Sequence, residues 1–443
     1  MRIRILSNLL LRFRSDPRFQ WEMLVLAGMY LGYAALYMCR ATVVISGPAM
    51  LDDPQLGLDK TAWGALIGWG TAGTLIGKLA NGVLADKLGG RRVFLLSLAF
   101  CMFATGIFGT MSGVLYFSLA YFIALFAKSA AWPSMANLIG VWYPKKWHGR
   151  IWGILSSSSR FSSLFTALVL GSLLLAVSWR SVIAASAVIT GGVLLVLFRI
   201  LKQCPADAGL EVVASSNEAD QKRPHPLDDA TLSQALVSFA RSPRVWLIGI
   251  SVMCLTVLME FQSFIPIYLR ETFGLTTGIA AITSSAFPIG CLISVLAGGV
   301  VFDLLSKKKR IFVLGGMMVF SVLCVALLLA LPTLGMTGNL GLWPALLAIM
   351  LFGLTIAPCY YIPMSVFSVD FGGTRCGVLI GLIDAAGYLA AMAFDFLGGA
   401  VADGVDGWHR FLTILLGVAI LGAVTLPLFL LLDYRVEKQR LSS

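Results

Sequence analysis

The chain has 443 residues, of which 58% are hydrophobic and 12% charged, against about 25% charged in an ordinary soluble domain. Its mean hydropathy of +0.88 leaves too little polar surface to coat a soluble fold, so a soluble enzyme or binding module is excluded. The net charge of +11 comes from loop lysines and arginines flanking apolar runs, which is the positive-inside pattern and not a nucleic-acid surface.

Apolar stretches of about 20 residues, enough to cross a hydrocarbon core of about 30 Å, recur from Trp21 to Leu432. Ahead of them, residues 1–20 carry Arg2, Arg4, Arg12, Arg14 and Arg18, which interrupt any signal-peptide core, and no small-residue cleavage site follows. An uncleaved, basic amphipathic lead-in on the cytoplasmic face is expected. Spans are predicted at 21–49, 61–86, 92–111, 114–142, 149–177, 179–201, 245–270, 276–302, 310–332, 341–369, 375–401 and 408–433. Between the sixth and seventh lies a polar stretch, Lys202 to Arg244, containing Pro205, Pro224 and Pro226. It reads as a linker with one short amphipathic helix from Leu232 to Phe239.

The expected architecture is an all-α membrane protein of twelve transmembrane helices in two pseudo-symmetric bundles. The N-terminal six-helix bundle covers 21–201, the cytoplasmic linker 202–244, the C-terminal six-helix bundle 245–433 and a cytoplasmic tail 434–443. Basic clusters such as Lys145/Lys146/Arg150 and Lys307/Lys308/Lys309/Arg310 alternate with loops poor in Lys and Arg, such as 111–113 and 332–341. That alternation places both termini in the cytoplasm.

The two halves echo each other. Gly82-Val-Leu-Ala-Asp86 precedes Arg91 and Arg92 after the second span, and Gly299-Val-Val-Phe-Asp303 precedes Lys307 to Arg310 after the eighth. A repeat of six-helix units is a recurrent plan of secondary transporters. Here Gly82 is expected to let neighbouring helices approach closely. Asp86 and Asp303, with Arg91 and Arg92, are expected to latch one state of a gate.

The Gly82–Arg92 stretch resembles the loop signature of the major facilitator superfamily, and further segments resemble its organophosphate:phosphate antiporter branch. They are Tyr37-Met-Cys-Arg40 with Ser46-Gly-Pro48, Gly77-Lys78, Ala131-Trp132-Pro133 with Trp142 and Gly149, Pro266-Ile-Tyr268-Leu-Arg270-Glu271, and Gly387-Tyr388. The resemblance implies the twelve-helix fold and glycerol-phosphate or hexose-phosphate transport. It further implies that an arginine on the first helix and another on the seventh hold a phosphate. Arg40 matches the first position; the seventh span reads Leu258-Met-Glu260-Phe-Gln262, with an acid where the second arginine would stand.

Ionisable groups within spans are expensive and point to function. Arg40, Lys78, Lys128 and Arg160 fall in the first, second, fourth and fifth spans; Glu260, Asp384 and Asp395 fall in the seventh and eleventh, Asp395 near an extracytoplasmic end. Arginine's planar fork suits carboxylate or phosphate oxygens, and Tyr37 shares its helix face with Arg40. Arg160 closes a serine run, Ser156 to Ser159, and is followed by Ser162 and Ser163. That helix is either a polar cavity wall, the favoured reading, or a small-residue packing seam. Glu260 and Asp384 are expected to pair with the N-half bases, bind a cationic part of the solute, or titrate as coupling carboxylates. The Tyr360-Tyr361 pair, between Pro358 and Pro363, either lines the pocket or kinks and packs the helix.

The eight cysteines show no CxxC pair, and His148, His225 and His409 fall at loops or helix ends, so neither a metal site nor a cofactor is expected. No Walker loop, Gly-x-Ser-x-Gly or HExxH occurs, so no enzyme activity is expected. The expected function is secondary transport of a small organic anion, phosphorylated or carboxylated, by phosphate exchange or proton symport. A monomer in the cell inner membrane is expected. The alternatives are a transporter-like solute sensor, or a carrier of a cation, metal ion or zwitterion using the C-half acids.

Overall fold

The structure, a computed structural model, describes residues 16–210, 231–336, 338–372 and 375–442. Most of the basic lead-in, together with Lys222, Arg223 and His225, lies outside the described residues. Every element is helical among those described. The first stretch holds α1 (Pro17–Leu51), α2 (Lys60–Leu88), α3 (Gly90–Thr110), α4 (Val114–Ser129), α5 (Ala131–Trp142), α6 (Lys145–Phe165) and α7 (Trp179–Ile200). The second holds α8 (Leu232–Arg241), α9 (Pro243–Glu260), α10 (Ile265–Phe273), α11 (Thr277–Thr283), α12 (Ala286–Leu304), α13 (Lys307–Thr333), α14 (Gly338–Gly372), α15 (Cys376–Asp403) and α16 (Gly407–Ser442).

Helix limits follow local chemistry. Asp16 caps α1 by accepting from the amides of Arg18 and Phe19, with Pro17 in the first turn. Asp59 caps α2 through the Ala62 amide. Thr231 and Gln234 form a reciprocal capping box on α8, the short linker helix predicted over 232–239, which runs on to Arg241. Gly274, with φ +68°, closes α10 in the left-handed conformation that glycine adopts without penalty.

Ten stretches are long and apolar enough to cross a membrane, among them Val114–Trp142, in which α4 and α5 run on through Ala130, and Pro243–Ser263. The chain is thus a multi-pass membrane protein. The two remaining predicted spans form helices, α2 and α6, but fall outside that set. α6 carries six serines and Arg160, and α2 carries Lys78, Asn81, Asp86 and Lys87. Three helices are interrupted. Pro133 has no N–H for the Ser129 carbonyl, and the chain breaks between α4 and α5 at Ala130. A 3₁₀ turn over Phe261–Ser263 separates α9 from α10, and a π turn over Thr166–Leu170 follows α6.

The main contact between the two stretches is α2 along α15, with α6 against α12 and α1 against α10 and α11 beside it. The α2–α15 seam is built on glycine. A Cβ at Gly64 would come within 2.6 Å of the Gly399 Cα, and one at Gly68 within 2.7 Å of the Phe396 ring. The expected close approach at Gly82 is not seen, because a Cβ there would meet nothing within 4 Å. Polar bonds seal the chain end beside this seam. Arg270 pairs with Asp52, and Lys60 with Glu271 at 2.9 Å. The Trp408 indole donates to Glu271 at 2.8 Å, Thr61 donates to Asp403 at 3.1 Å, and Trp63 donates to the Ser263 carbonyl at 3.3 Å.

At the opposite end Asp86 pairs with no arginine among the described residues. Asp86 is exposed, and Arg91 instead donates to the carbonyls of Leu201 (2.5 Å) and Phe198 (3.0 Å) within the first stretch. Arg92 is exposed as well, and the side chain of Asp303 lies outside the described residues.

Since overpacking a tight helix contact costs about 1–3 kcal/mol, Gly64→Val is expected to lower the thermal unfolding midpoint of the detergent-solubilised protein. Gly140→Val, where a Cβ meets nothing within 4 Å, is the matched control and should leave it nearly unchanged.

Candidate functional site

At mid-depth the structure gathers the intramembrane charges that the sequence scatters over several spans. Arg40, about two-thirds along α1, directs its Nη2 to both oxygens of Glu260, at 2.7 and 2.6 Å. Glu260 ends α9 at the helix break, where Ser263 donates to it at 3.2 Å. Lys78 of α2 pairs with Asp384 of α15 and lies 4.5 Å from the Tyr388 ring centroid. Both ion pairs join the first stretch to the second. The side chains of Lys78 and Asp384 remain 29% and 15% exposed, so this pair borders a space that solvent reaches.

Lys128 and Arg160 differ. Each is 5% exposed, and neither has a carboxylate within ion-pair distance among the described residues. Each rests on an aromatic face instead: Lys128 lies 4.3 Å from the Tyr37 centroid, and the Arg160 guanidinium 5.2 Å from that of Tyr361. Cation–π contact gives a desolvated cation about 2 kcal/mol or more, without cancelling its charge. The Arg160 Nε has no hydrogen-bond partner. Lys128 stands in the last turn of α4, where the carbonyl end of the helix favours a cation.

Aromatic rings fix these supports. Tyr37 meets Tyr33 edge-on at 5.1 Å, Tyr33 leans on Trp132 at 5.8 Å, and Trp132 packs on Trp152 at 4.2 Å. Tyr360 meets Tyr361 edge-on at 5.0 Å. Tyr33 and Tyr388 were not among the sequence-derived candidates. Each lies four residues from one that was, Tyr37 and Asp384, and four residues is the spacing of a shared helix face.

The serine run differs from the favoured expectation. Ser157, Ser158, Ser159, Ser162 and Ser163 are buried, and their hydroxyls donate to backbone carbonyls, Ser162 to that of Ala34 on α1 at 2.6 Å. The run is a packing seam between α6 and α1. A serine hydroxyl in a helix satisfies its donor on a carbonyl one turn back when no other partner is at hand.

A bundle of apolar helices with paired and unpaired charges at mid-depth is the build of a membrane carrier. The chain belongs to the Major Facilitator Superfamily, whose model matches residues 29–394. The relatives named below are a transport protein and a membrane sensor, neither of them an enzyme. One, named as a probable hexose phosphate transport protein of Chlamydia muridarum (strain MoPn / Nigg), is 26% identical over 96% of this chain and 95% of the relative. Another is the membrane sensor protein UhpC of Escherichia coli (strain K12), 23% identical over 94% of each. Among solved structures, a bacterial homologue of the human lysosomal transporter Spinster, in an inward-facing and unoccupied conformation, superposes with a TM-score of 0.72. It is 13% identical and covers 93% of this chain and 97% of that one, a likeness of fold.

Removing one partner of a buried ion pair strands the other charge, at a cost of about 3–5 kcal/mol, whereas replacing both by apolar groups is often neutral. Glu260→Leu alone is therefore expected to lower the unfolding midpoint strongly, and Arg40→Met with Glu260→Leu to restore much of it. A double-mutant cycle by thermal unfolding reads the coupling.

Proposed function

We propose that this chain is a secondary transporter of a small organic anion of the sugar-phosphate class, working by alternating access. The observation that carries this reading is the pair of buried, uncompensated cations, Lys128 and Arg160, beside two charge-neutral ion pairs. Surplus positive charge in a desolvated setting attracts an anion strongly. The similarity to a protein named as a hexose phosphate transporter supports the phosphorylated class. Tyr37 and Tyr361 hold the two cations in place. Arg40–Glu260 and Lys78–Asp384 tie the two stretches across the site, with Tyr360 packed against Tyr361.

In this reading twelve helices span the bilayer as two six-helix bundles, 21–201 and 245–433, joined by the linker 202–244. The basic clusters place the lead-in, linker and tail in the cytoplasm of a cell whose inner membrane houses a monomer. The end sealed by Arg270–Asp52 and Lys60–Glu271 then faces away from the cytoplasm, and Asp86, Arg91, Arg92 and Asp303 belong to the cytoplasmic gate. The second reading is a solute sensor of the same fold, favoured by the similarity to UhpC.

Glucose 6-phosphate tests both. A ligand that binds only the folded state raises the unfolding midpoint, and a loss of about 1.4 kcal/mol in binding is a tenfold loss of affinity. Lys128→Met and Arg160→Met should each lower the affinity read from that stabilisation at least tenfold and abolish uptake into proteoliposomes. Arg40→Lys should weaken it less. Stabilisation of the wild-type protein without uptake would identify the sensor, and unchanged stabilisation of the Lys128 and Arg160 variants would remove both from the site.

A further inference from the structure

The site just described leaves one acid unused. Asp395 lies about three helical turns beyond Asp384 on α15, toward the sealed end. It is 0% exposed. One carboxyl oxygen accepts the Thr71 hydroxyl of α2 at 2.6 Å, and the other has no hydrogen-bond partner. No lysine or arginine lies within ion-pair distance of it among the described residues. The Gly64–Gly399 contact lies one turn along α15 from it, with Gly64 close to the Asp395 backbone carbonyl.

The groups that face it from the packed helices are few. α1 supplies Arg40, α9 supplies Glu260, α4 supplies the Tyr121 phenol, and α2 supplies the uncharged Thr71. Arg40 and Glu260 already neutralise each other. The other groups lie in the same buried setting, and the Arg40 Nε also lacks a hydrogen-bond partner. A bare carboxylate is poorly tolerated in such a place, whereas a carboxylic acid needs no counter-ion.

We propose that Asp395 is a proton-binding site that couples solute movement to a proton; the proposal rests on the transporter reading. When α2 and α15 part at the sealed end, water reaches the carboxylate, and a hydronium ion gives it a proton, forming the O–H bond and leaving water. The seam then closes over the neutral acid. In the opposite state of the carrier, water that reaches the acid from mid-depth takes the proton as hydronium, breaking the O–H bond and leaving the carboxylate. The Arg40 guanidinium is the cation that acts on the carboxylate so left.

The test uses the full chain in proteoliposomes with radiolabelled glucose 6-phosphate. A gradient of about one pH unit supports up to about tenfold accumulation for one proton per solute. Wild-type protein should approach that accumulation. Asp395→Asn, which keeps the shape and the Thr71 contact, should retain counterflow of the sugar phosphate yet lose all accumulation driven by the gradient. Accumulation by Asp395→Asn equal to wild type overturns the proposal, as does wild-type accumulation indifferent to the gradient. If wild-type protein moves no glucose 6-phosphate, the transport reading fails separately, and infrared difference spectra of the purified protein decide on Asp395. A carboxylic-acid carbonyl band at neutral pH, shifted in D2O and missing from Asp395→Asn, supports a held proton; identical spectra for the two proteins overturn it.

Discussion

Arg40 and Glu260 form the contact on which the rest of the site depends. A guanidinium at mid-depth needs either water or a counter-charge, and the counter-charge comes from a helix 220 residues further along the chain. Because Glu260 ends α9 at a helix break, its position is set by the 3₁₀ turn over Phe261–Ser263 as much as by the helix. The pair fastens the first stretch to the second, as the lysine–aspartate pair does. With these four charges cancelled, the field at mid-depth is left to Lys128 and Arg160. The resemblance to the organophosphate:phosphate antiporters implies a first-helix arginine matched by one on the seventh helix. Here the seventh-helix residue cancels its partner instead, and in the proposed site the surplus charge stands on the fourth and fifth predicted spans.

Much of the helical framework was legible in the sequence because apolar runs bounded by basic loops leave the backbone no other way to satisfy its hydrogen bonds in lipid. The linker helix was legible for a different reason: Thr231 and Gln234 are a local capping signal that needs no tertiary partner. The breaks at Ala130 and Phe261 were less so. Pro133 and Pro266 each stand four residues after a carbonyl left without an N–H, Ser129 and Gln262, but a proline inside a span does not tell a bend from a break.

For the candidate site, composition gave the chemistry and withheld the pairing. Bases in the first stretch and acids in the second are visible along the chain, yet which meets which depends on helix rotation that no single span encodes. The serine run shows the opposite difficulty: its polarity suggested a wall facing water, while the hydroxyls turn back onto their own helix and onto α1. Asp395 read as a helix-end acid because eight residues follow it before α15 stops at Asp403. Its burial comes from α2 crossing directly above, a tertiary fact.

That crossing carries a further consequence. Where Gly64 and Gly399 meet, backbone touches backbone, with no side chain between them that could turn to another rotamer. A contact cushioned by leucines can loosen by degrees, each ring or methyl finding a new place as the helices drift. Two bare backbones have no such intermediate positions, so the joint is either shut or apart. A carrier gains from this abruptness, since a gate that cannot stand ajar offers no continuous leak.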